Sequence, residues 1–342
     1  MKNRKNSENR KNSENRKNMK KIIITGAAGL VGMNLLTLIT RSPYAKKYSI
    51  VTMDKNETNM AILRELFPSV KAMTVDFVKT AKKSAQEQDS WKQEFKGAFC
   101  VIELQAQISS PTPGPFVRNN ISSVKEVIKA CKKYHVRNLI HLSSSVVISV
   151  ADDDYTNTKK QGETLVVRSG IPHTILRPPL MYGCFDAKHL GWITRFMKKT
   201  PIMPIPGTGR YMRQPLYVLD MCRIILKNIE RQRDNKIYSI IGRERIDFID
   251  ILKYIAHVRG MKRVFVPVPI PVFSQMVRAY GLATGKPAFV PDQLKALIAG
   301  DDFAVDPWWK TFGVPYTPFR KGMRETVASP YDQYSFKMVS PH

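Results

Sequence analysis

The chain has 342 residues, 43% of them hydrophobic, and a formal net charge of +27. This length and apolar content suffice for a full hydrophobic core, either in one large α/β domain or in a domain with a smaller companion. Scattered cysteines without a Cys-x-x-Cys pair, and histidines without ligand spacing, argue against a disulfide framework and against a metal site. We therefore expect a cytoplasmic protein without a metal. We also expect its four cysteines to be reduced and mostly buried: Cys100, Cys131, Cys184 and Cys222.

A basic tandem repeat opens the chain. Two copies of Asn-Arg-Lys-Asn-Ser-Glu run over residues 3–14, and no hydrophobic residue lies between Met1 and Met19. Because such a segment cannot offset its ordering entropy by burial, we predict a disordered tail over residues 1–19. The remaining positive charge forms no basic block interleaved with aromatic residues, so we expect a cationic surface and no nucleic-acid partner.

A glycine-rich turn follows the first strand-like run, at residues 22–25. Gly26, Gly29 and Gly32 are spaced three apart and precede an amphipathic, helix-like stretch. Gly26 permits a sharp turn, Gly29 permits a close approach of the backbone to a pyrophosphate, and Gly32 lets the helix pack on the strand. Free N–H groups at the start of that helix favour phosphate. The pattern predicts a dinucleotide-binding turn and disfavours a signal peptide or an integral membrane segment.

An acidic residue, Asp54, ends the second strand-like run. At this place in a dinucleotide-binding unit, a carboxylate would accept the hydroxyls of the adenosine ribose. An acid there disfavours a 2′-phosphate and so favours NAD, whereas the neighbouring Lys55 leaves NADP possible. We therefore predict NAD as the cofactor, with NADP as the alternative.

Strand-like and helix-like runs alternate through the first half of the chain. Each parallel crossover needs a helix to return the chain, so this alternation is typical of a parallel sheet with helices on both faces. The pattern predicts an α/β fold, a doubly wound parallel sheet of the Rossmann type over residues 20–183. Its strands are predicted at 22–25, 49–53, 72–75, 98–104, 139–142 and 173–176, and its helices at 60–66, 117–134 and 155–168.

Tyr155 and Lys159 lie four residues apart on one of these helices and so share a face. A phenol has a reference pKa of about 10, which is too high for a base at neutral pH. An adjacent ammonium, together with a positive nicotinamide ring, would lower that pKa. Lys159 can also hold the nicotinamide ribose, and Ser144 or Ser145 can hydrogen-bond a substrate oxygen. The set predicts hydride transfer, with the aspartates at 152–154 capping the helix.

The second half of the chain has clustered prolines and few strand-like runs. We predict a smaller, mostly helical substrate-binding part over residues 184–342, with 213–242 returning to the main sheet through a strand at 236–241. Helices are predicted at 218–229, 248–257 and 291–298. Arg210, Arg213 and Gln214 can bind an anionic group of the substrate or form a solvated cationic loop. We expect the apolar run 264–273 to be a buried wall of the substrate cleft rather than a lipid contact.

Taken together, these motifs resemble the extended short-chain dehydrogenases/reductases of the NAD-dependent epimerase/dehydratase superfamily, from about residue 20 to about residue 327. The resemblance also covers Asn120, the pair Arg177-Pro178 and the segment 217–220. It implies a homodimer that acts on a small-molecule substrate. The catalytic set would be Ser144, Tyr155 and Lys159, and the residues expected to bind the substrate are Ser145, Leu180 and Arg213. The cofactor contacts that we expect are Gly26, Gly29, Leu30, Val31, Asp54, Asp76, Phe77, Leu104, Gln105, Ala106, Tyr155, Lys159 and Pro178.

The chain also departs from the family's pattern. Sugar-nucleotide epimerases of this family usually carry Asn where this chain has Leu180, and Glu103 and Gln105 replace the more usual His and Ala. The segment 177–183 is more similar to relatives that act on less polar alcohols and ketones. Three functions therefore stay open: a dehydrogenase or reductase, a sugar-nucleotide epimerase or dehydratase, and a non-catalytic nucleotide-binding scaffold. The scaffold would be like the Rossmann-type accessory subunit of respiratory complex I, because residues 291–294 resemble the carboxyl half of that subunit.

Overall fold

A computed structural model describes residues 19–78, 90–150, 152–231, 235–284, 294 and 297–339. The tail predicted over residues 1–19 lies outside these residues except for Met19, as does most of the helix predicted at 291–298. The strands are β1 (Lys20–Thr25), β2 (Tyr48–Asp54), β3 (Lys71–Thr74), β4 (Ala98–Glu103), β5 (Leu139–Leu142), β6 (His173–Arg177), β7 (Met181–Tyr182), β8 (Ile202–Pro206), β9 (Met212–Arg213), β10 (Leu216–Tyr217), β11 (Lys236–Ser239), β12 (Ile246–Asp247) and β13 (Val264–Val268).

Helices connect and flank these strands. The α-helices are α1 (Leu30–Thr40), α2 (Glu57–Leu66), α3 (Gly114–Phe116), α4 (Ser123–Lys133), α5 (Asp154–Val167), α6 (Leu190–Lys199), α7 (Val218–Glu230), α8 (Phe248–Val258), α9 (Ile270–Thr284), α10 (Trp308–Phe312), α11 (Phe319–Ala328) and α12 (Tyr334–Lys337). Short 3₁₀ turns lie at Pro43–Lys46, Ser90–Phe95 and Ser145–Ile148, and a π-helical segment covers Val117–Ser122.

Seven parallel strands form the central sheet, in the order β11-β6-β5-β4-β1-β2-β3. The predicted doubly wound parallel sheet is therefore confirmed. The strand order reverses between β1 and β4, which is where sheets of this kind bind ligands, at the carboxyl ends of their strands. Ile22, Ile23 and Ile24 have no exposed surface because helices cover both faces of the central strand.

Two hydrophobic cores lie on the two faces of the sheet. On one face α1 packs against α7, and on the other α4 and α5 cover the strands with Val124, Val127 and Val166. A third core in the second half of the chain joins α6, α8 and α11. The cysteines are free and buried, and burial raises the pKa of Cys184 to about 11. These thiols are therefore protonated packing groups.

The helix predicted over residues 117–134 is interrupted by the π-helical segment. This wider turn directs two amides inward. Asn120 Nδ2 donates to the carbonyl of Gln107 and to Thr158 Oγ1, both at 3.0 Å, and Asn119 Nδ2 donates to Gln107 Oε1 at 3.0 Å. The interrupted helix is thus tied to α5 and to the loop after β4 by buried hydrogen bonds.

The apolar run 264–273 is not the buried wall that the sequence predicted. Its strand, β13, pairs with β8 in a separate two-stranded sheet. The side chains of Val264 and Val272 are 62% and 52% exposed, whereas Phe273 is buried. The expectation was wrong because apolar composition shows that a surface avoids water but not which element covers it.

Candidate functional site

The predicted cofactor and catalytic residues meet at one edge of the sheet. Parallel strands bring their carboxyl ends to the same edge, so the residues that follow β1, β2, β4, β5 and β6 become neighbours. Thr25 precedes the glycine turn, Asp54 ends β2, and Ser144 follows β5. The site is therefore built from the ends of strands that are far apart in the chain.

The glycine turn has the shape that a pyrophosphate needs. Gly26 has φ +67°, and a Cβ there would lie 2.4 Å from the backbone nitrogen of Gln105. A Cβ on Gly32 would lie 2.2 Å from the carbonyl oxygen of Ala27. These two glycines are required by the protein itself. At Gly29, by contrast, a Cβ would meet only the Gly26 carbonyl, at an ordinary 3.4 Å.

The space beside Gly29 is thus explained by a ligand better than by packing. Gly29 precedes α1, and no side chain caps that helix, so its first N–H groups are available to phosphate. Gln105 lies against the turn, and its buried Nε2 has no hydrogen-bond partner among the described residues. An orphaned donor and an open cradle both fit a dinucleotide at this place.

Gly29→Ala separates the ligand's requirement from that of the fold. We expect NAD to bind about tenfold more weakly, a loss of roughly 1.4 kcal/mol, because the methyl group occupies the pyrophosphate cradle. We expect the free energy of unfolding to change little. Isothermal titration with NAD and chemical denaturation measure the two effects. Gly26→Ala is the contrasting variant, since its clash should destabilise the fold, and equal NAD affinity in Gly29→Ala and wild type would contradict the placement.

The predicted adenosine end is centred on Asp54. Its carboxylate accepts the backbone N–H of Ala28 at 3.1 Å and that of Asn56 at 2.9 Å. Burial raises the pKa of Asp54, while these hydrogen bonds and the charge of Lys188 act to lower it. Asp76 is paired with Arg118 at 2.9 Å, and Phe77 packs edge-on against Trp91.

Two features near this end were not predicted from the sequence. Burial lowers the pKa of Lys188 to about 8, against the opposing influence of Asp54. The carboxyl-terminal segment also reaches α2, where Asn59 Nδ2 donates to the carbonyl of Val339 at 3.0 Å and Val339 N–H donates to Asn59 Oδ1 at 2.9 Å. The same Asn59 amide donates to the carbonyl of Ala28 in the turn, at 3.4 Å. Residues beyond 183 therefore also border the expected cofactor cleft.

Lys188 provides a pH test of the NADP alternative. Its ammonium is present below about pH 8 and is lost above it. If the ammonium contacts a 2′-phosphate, the ratio of the NADP to the NAD dissociation constant should increase about tenfold or more from about pH 7 to about pH 9. Titrations at both pH values measure the ratio. Lys188→Met should abolish this change in the ratio. Lys55→Met should retain it, because the Lys55 ammonium already donates to Asn119. A pH-independent ratio in the wild-type protein would exclude the contact between Lys188 and the 2′-phosphate.

Ser144 and Tyr155 lie together at the carboxyl end of β5. Asp153 caps α5 by accepting the N–H of Thr156 at 2.7 Å, which places Tyr155 in the first turn of the helix. The Ser144 hydroxyl lies near the phenol and acts to lower its pKa. Ser145, the next residue, is buried, and its N–H donates to the carbonyl of Pro178 at 2.8 Å. Of the two serines, Ser144 is therefore the one placed beside the phenol.

Lys159 lies one turn along the same helix. Its side chain is 2% exposed, and Nζ donates to the carbonyl of Leu142 at 2.8 Å. Burial lowers the pKa of Lys159, and the charges of Glu103 and Glu163 act to raise it. Burial raises the pKa of Tyr155, with the Ser144 hydroxyl acting in the opposite direction and Asp153 adding to the increase. In the cofactor-free protein the pKa of the phenol is therefore shifted opposite to the direction expected from the sequence.

A buried cluster of charged and polar side chains lies beneath α5. Glu103 on β4 contacts His141 on β5, its register partner, and both side chains are about 1% exposed. Farther along, Arg177 Nε donates to Glu163 at 2.8 Å. No role for His141 was predicted from the sequence, and Glu103 was noted only as a departure from the family. Polar residues at matching positions of two apolar strands were the available signal.

The predicted substrate residues are dispersed. Leu180 is partly buried against the third core, and Arg210 is exposed. Arg213 is paired with Asp301 at 2.9 Å, and Gln214 binds the backbone of Phe303. These contacts use the groups that were expected to bind a substrate anion. We therefore leave Arg213 and Gln214 out of the proposed substrate site.

Comparison with known proteins identifies the family. Residues 22–240, which are more than half of the chain, match the pattern of the NAD dependent epimerase/dehydratase family. The chain belongs to this family. This membership confirms the resemblance found in the sequence, and the family is named for the cofactor that the sequence predicts. Among the described residues, we find no group of metal-binding side chains and no helix long and apolar enough to cross a membrane.

Curated relatives of this family member have different functions. It is 26% identical over 269 residues to a trifunctional UDP-glucose 4,6-dehydratase/UDP-4-keto-6-deoxy-D-glucose 3,5-epimerase/UDP-4-keto-L-rhamnose-reductase of Arabidopsis thaliana, covering 71% of this chain and 40% of the relative. It is 27% identical over 244 residues to the mitochondrial NADH dehydrogenase [ubiquinone] 1 alpha subcomplex subunit 9 of Rattus norvegicus, covering 68% and 62%. The alignments thus span less than two thirds of either relative.

A solved structure supports the fold. UDP-glucuronic acid 4-epimerase from Bacillus cereus, solved with UDP-glucuronic acid and NAD, superimposes with a TM-score of 0.66, over 93% of this chain and 99% of the epimerase. The two sequences are 19% identical. The likeness therefore extends the shared fold beyond the matched family region into the second half of the chain.

Proposed function

We propose that this protein is an NAD-dependent oxidoreductase or epimerase of the extended short-chain type, which transfers a hydride to or from a secondary alcohol or ketone. One observation carries the proposal: Tyr155 lies beside Ser144, whose hydroxyl acts to lower the pKa of the phenol, at the same edge of the sheet as the glycine turn. A dinucleotide anchored at Gly29 would extend along this edge. The fold thus supports a phenol and a hydroxyl beside the expected nicotinamide.

Each residue of the set has a distinct role in this proposal. Ser144 hydrogen-bonds the substrate oxygen, and Tyr155 takes the hydroxyl proton as the alcohol is oxidised, or returns it in the reverse direction. Lys159 holds the nicotinamide ribose and supplies positive charge near the phenol. Bound NAD supplies the hydride acceptor and a positive ring. Burial of Lys159 and of the side chains around it limits water near the reacting groups.

Sugar nucleotides are the first substrates to test, because the trifunctional relative and the superimposed epimerase are named for them. Less polar alcohols and ketones are the alternative, because Leu180 offers no hydrogen bond to a diphosphate. The cytoplasmic location and the homodimer stay predictions.

Single-turnover absorbance tests the proposal. The protein is loaded with NAD and mixed with UDP-glucose, UDP-glucuronic acid, dTDP-glucose or a hydroxysteroid, and the absorbance of reduced nicotinamide is followed. We expect one class to reduce the bound NAD, transiently if the reaction is an epimerisation. Product analysis by NMR covers turnover in which the reduced cofactor does not accumulate. Catalysis would be contradicted if no candidate substrate reduced the bound NAD and none was converted into a product.

A non-catalytic nucleotide-binding scaffold is the second candidate. The similarity to the NADH dehydrogenase subunit favours it, and so does the contact of Val339 with Asn59 beside the turn, since a terminal segment fastened there suits long retention of a nucleotide. The retained Ser144, Tyr155 and Lys159 favour catalysis instead. A nucleotide that co-purifies and stays inert with all substrates would support the scaffold.

A further inference from the structure

An apolar stripe on the outer face of α9 is exposed to solvent. Val272, Met276 and Tyr280 follow one another at intervals of four residues and therefore lie on one face of the helix. Their side chains are 52%, 47% and 46% exposed, and Leu282 beyond them is 88% exposed. Phe273, at the border of this stripe, is buried and anchors the helix. An apolar face of this extent on a solvent-exposed helix marks an interaction surface.

The neighbouring two-stranded sheet carries two further exposed apolar side chains. Ile202 of β8 and Val264 of β13 are register partners, and they are 56% and 62% exposed. Helix α9 follows β13 directly and contacts β8. Pro204 and Pro267 lie within the pair and lack an N–H, so the sheet is a poor template for an added strand. The partner therefore contacts side chains rather than the backbone edge.

The chain segment that carries most of these side chains is basic. Residues 251–291 contain no Asp or Glu and six Lys or Arg. Lys262 and Arg278 are exposed on this segment, and Lys198 and Lys199, also exposed, shortly precede Ile202. Exposed apolar side chains bordered by basic ones complement a surface that presents negative charge over a hydrocarbon layer.

We infer that the exposed apolar side chains of Ile202, Val264, Val272, Met276 and Tyr280 dock on an anionic lipid membrane. Lys and Arg would contact the headgroups, and the apolar stripe would enter the interface, where Tyr is favoured. A second copy of the chain is disfavoured because its matching face would bring the same positive charges together. An acidic protein partner is the alternative outcome of the test. The inference is independent of the proposed catalytic function.

A fluorescent reporter on α9 tests the docking directly. Met276→Cys in the full chain is labelled with an environment-sensitive dye, which reacts ahead of the buried native cysteines. The matched control is Val167→Cys, at an exposed apolar position of α5 that is 49% exposed. We expect vesicles of phosphatidylcholine and phosphatidylserine to shift the emission of the dye at 276 to shorter wavelength, and to leave the dye at 167 unchanged.

Several results would overturn the inference. They are no shift at residue 276, an equal shift at residue 167, an equal response to pure phosphatidylcholine vesicles, or a shift produced by an acidic protein and not by vesicles. A second measurement, without a dye, excludes an effect of the label itself. Val272→Glu with Met276→Glu should lower the vesicle partition coefficient about tenfold or more at raised salt, where basic side chains alone bind weakly.

The matched control for this second readout is Val167→Glu, which should partition like wild type. Retained NAD binding shows that each variant is folded. Wild-type partitioning of the double variant at raised salt would also overturn the inference.

Discussion

Tyr155→Phe should lower the rate constant of hydride transfer by about 10²–10⁴-fold, the range for loss of a general acid or base. The variant keeps the ring that packs near Phe116, with centroids 6.5 Å apart, and loses the hydroxyl that lies beside Ser144. Because the dinucleotide is held mainly by the turn and the strand ends, NAD affinity should stay near the wild-type value. Single-turnover absorbance measures the rate, and calorimetry measures the affinity.

Tyr134→Phe is the matched control, since Tyr134 ends α4 at the opposite, amino-terminal edge of the sheet and should leave the rate unchanged. Ser144→Ala should slow transfer less, because the phenol remains available to the substrate oxygen. A Tyr155→Phe protein that binds NAD and transfers hydride at the wild-type rate would refute the proposed mechanism. A protein that also loses NAD binding would contradict the expectation that Tyr155 contributes little to cofactor affinity.

Glu103→Gln should destabilise the fold by roughly 1–3 kcal/mol, the cost of leaving a buried hydrogen-bonding group without its partner. Glu103 is about 1% exposed and contacts His141, and its charge opposes the lowering of the Lys159 pKa. The substitution leaves the polar groups of His141 and Lys159 buried without that carboxylate. Urea denaturation measures the loss, and Glu65→Gln, at an exposed position of α2, is the control.

The same substitution has a second signature that a merely structural role would not produce. Without the Glu103 charge, the pKa of Lys159 should decrease further, because burial already lowers it. The ammonium is then lost at lower pH, so the alkaline limb of the pH–rate profile should move to lower pH. Adding His141→Phe should recover part of the stability and leave this shift in place. An unchanged pH–rate profile would contradict the proposed influence of Glu103 on the pKa of Lys159.

The main sheet could be predicted because its signals are local. The β-branched run at residues 22–25 is buried on both faces, and Asp54 ends β2 as predicted. The boundaries of α5 agree with the prediction to within one residue because Asp153 provides a cap that can be read directly from the sequence. Patterns of this kind depend on neighbours along the chain.

Features that depend on distant contacts could not be predicted. Asn59 and Val339 are 280 residues apart in the chain, and no spacing rule relates Lys188 to Asp54. The π-helical segment has an ordinary helical pattern, and the inward Asn119 and Asn120 gain their partners only in the folded chain. The direction of the shift in the Tyr155 pKa likewise depends on burial, which cannot be predicted from the spacing of Tyr155 and Lys159.

A crystal structure with NAD bound tests the central claim most directly. The account predicts the pyrophosphate against Gly29, the adenosine ribose at Asp54, and the nicotinamide ribose within hydrogen-bonding distance of Tyr155 and Lys159. A dinucleotide whose nicotinamide lies away from Tyr155, or a turn that leaves no room for the pyrophosphate beside Gly29, would contradict it.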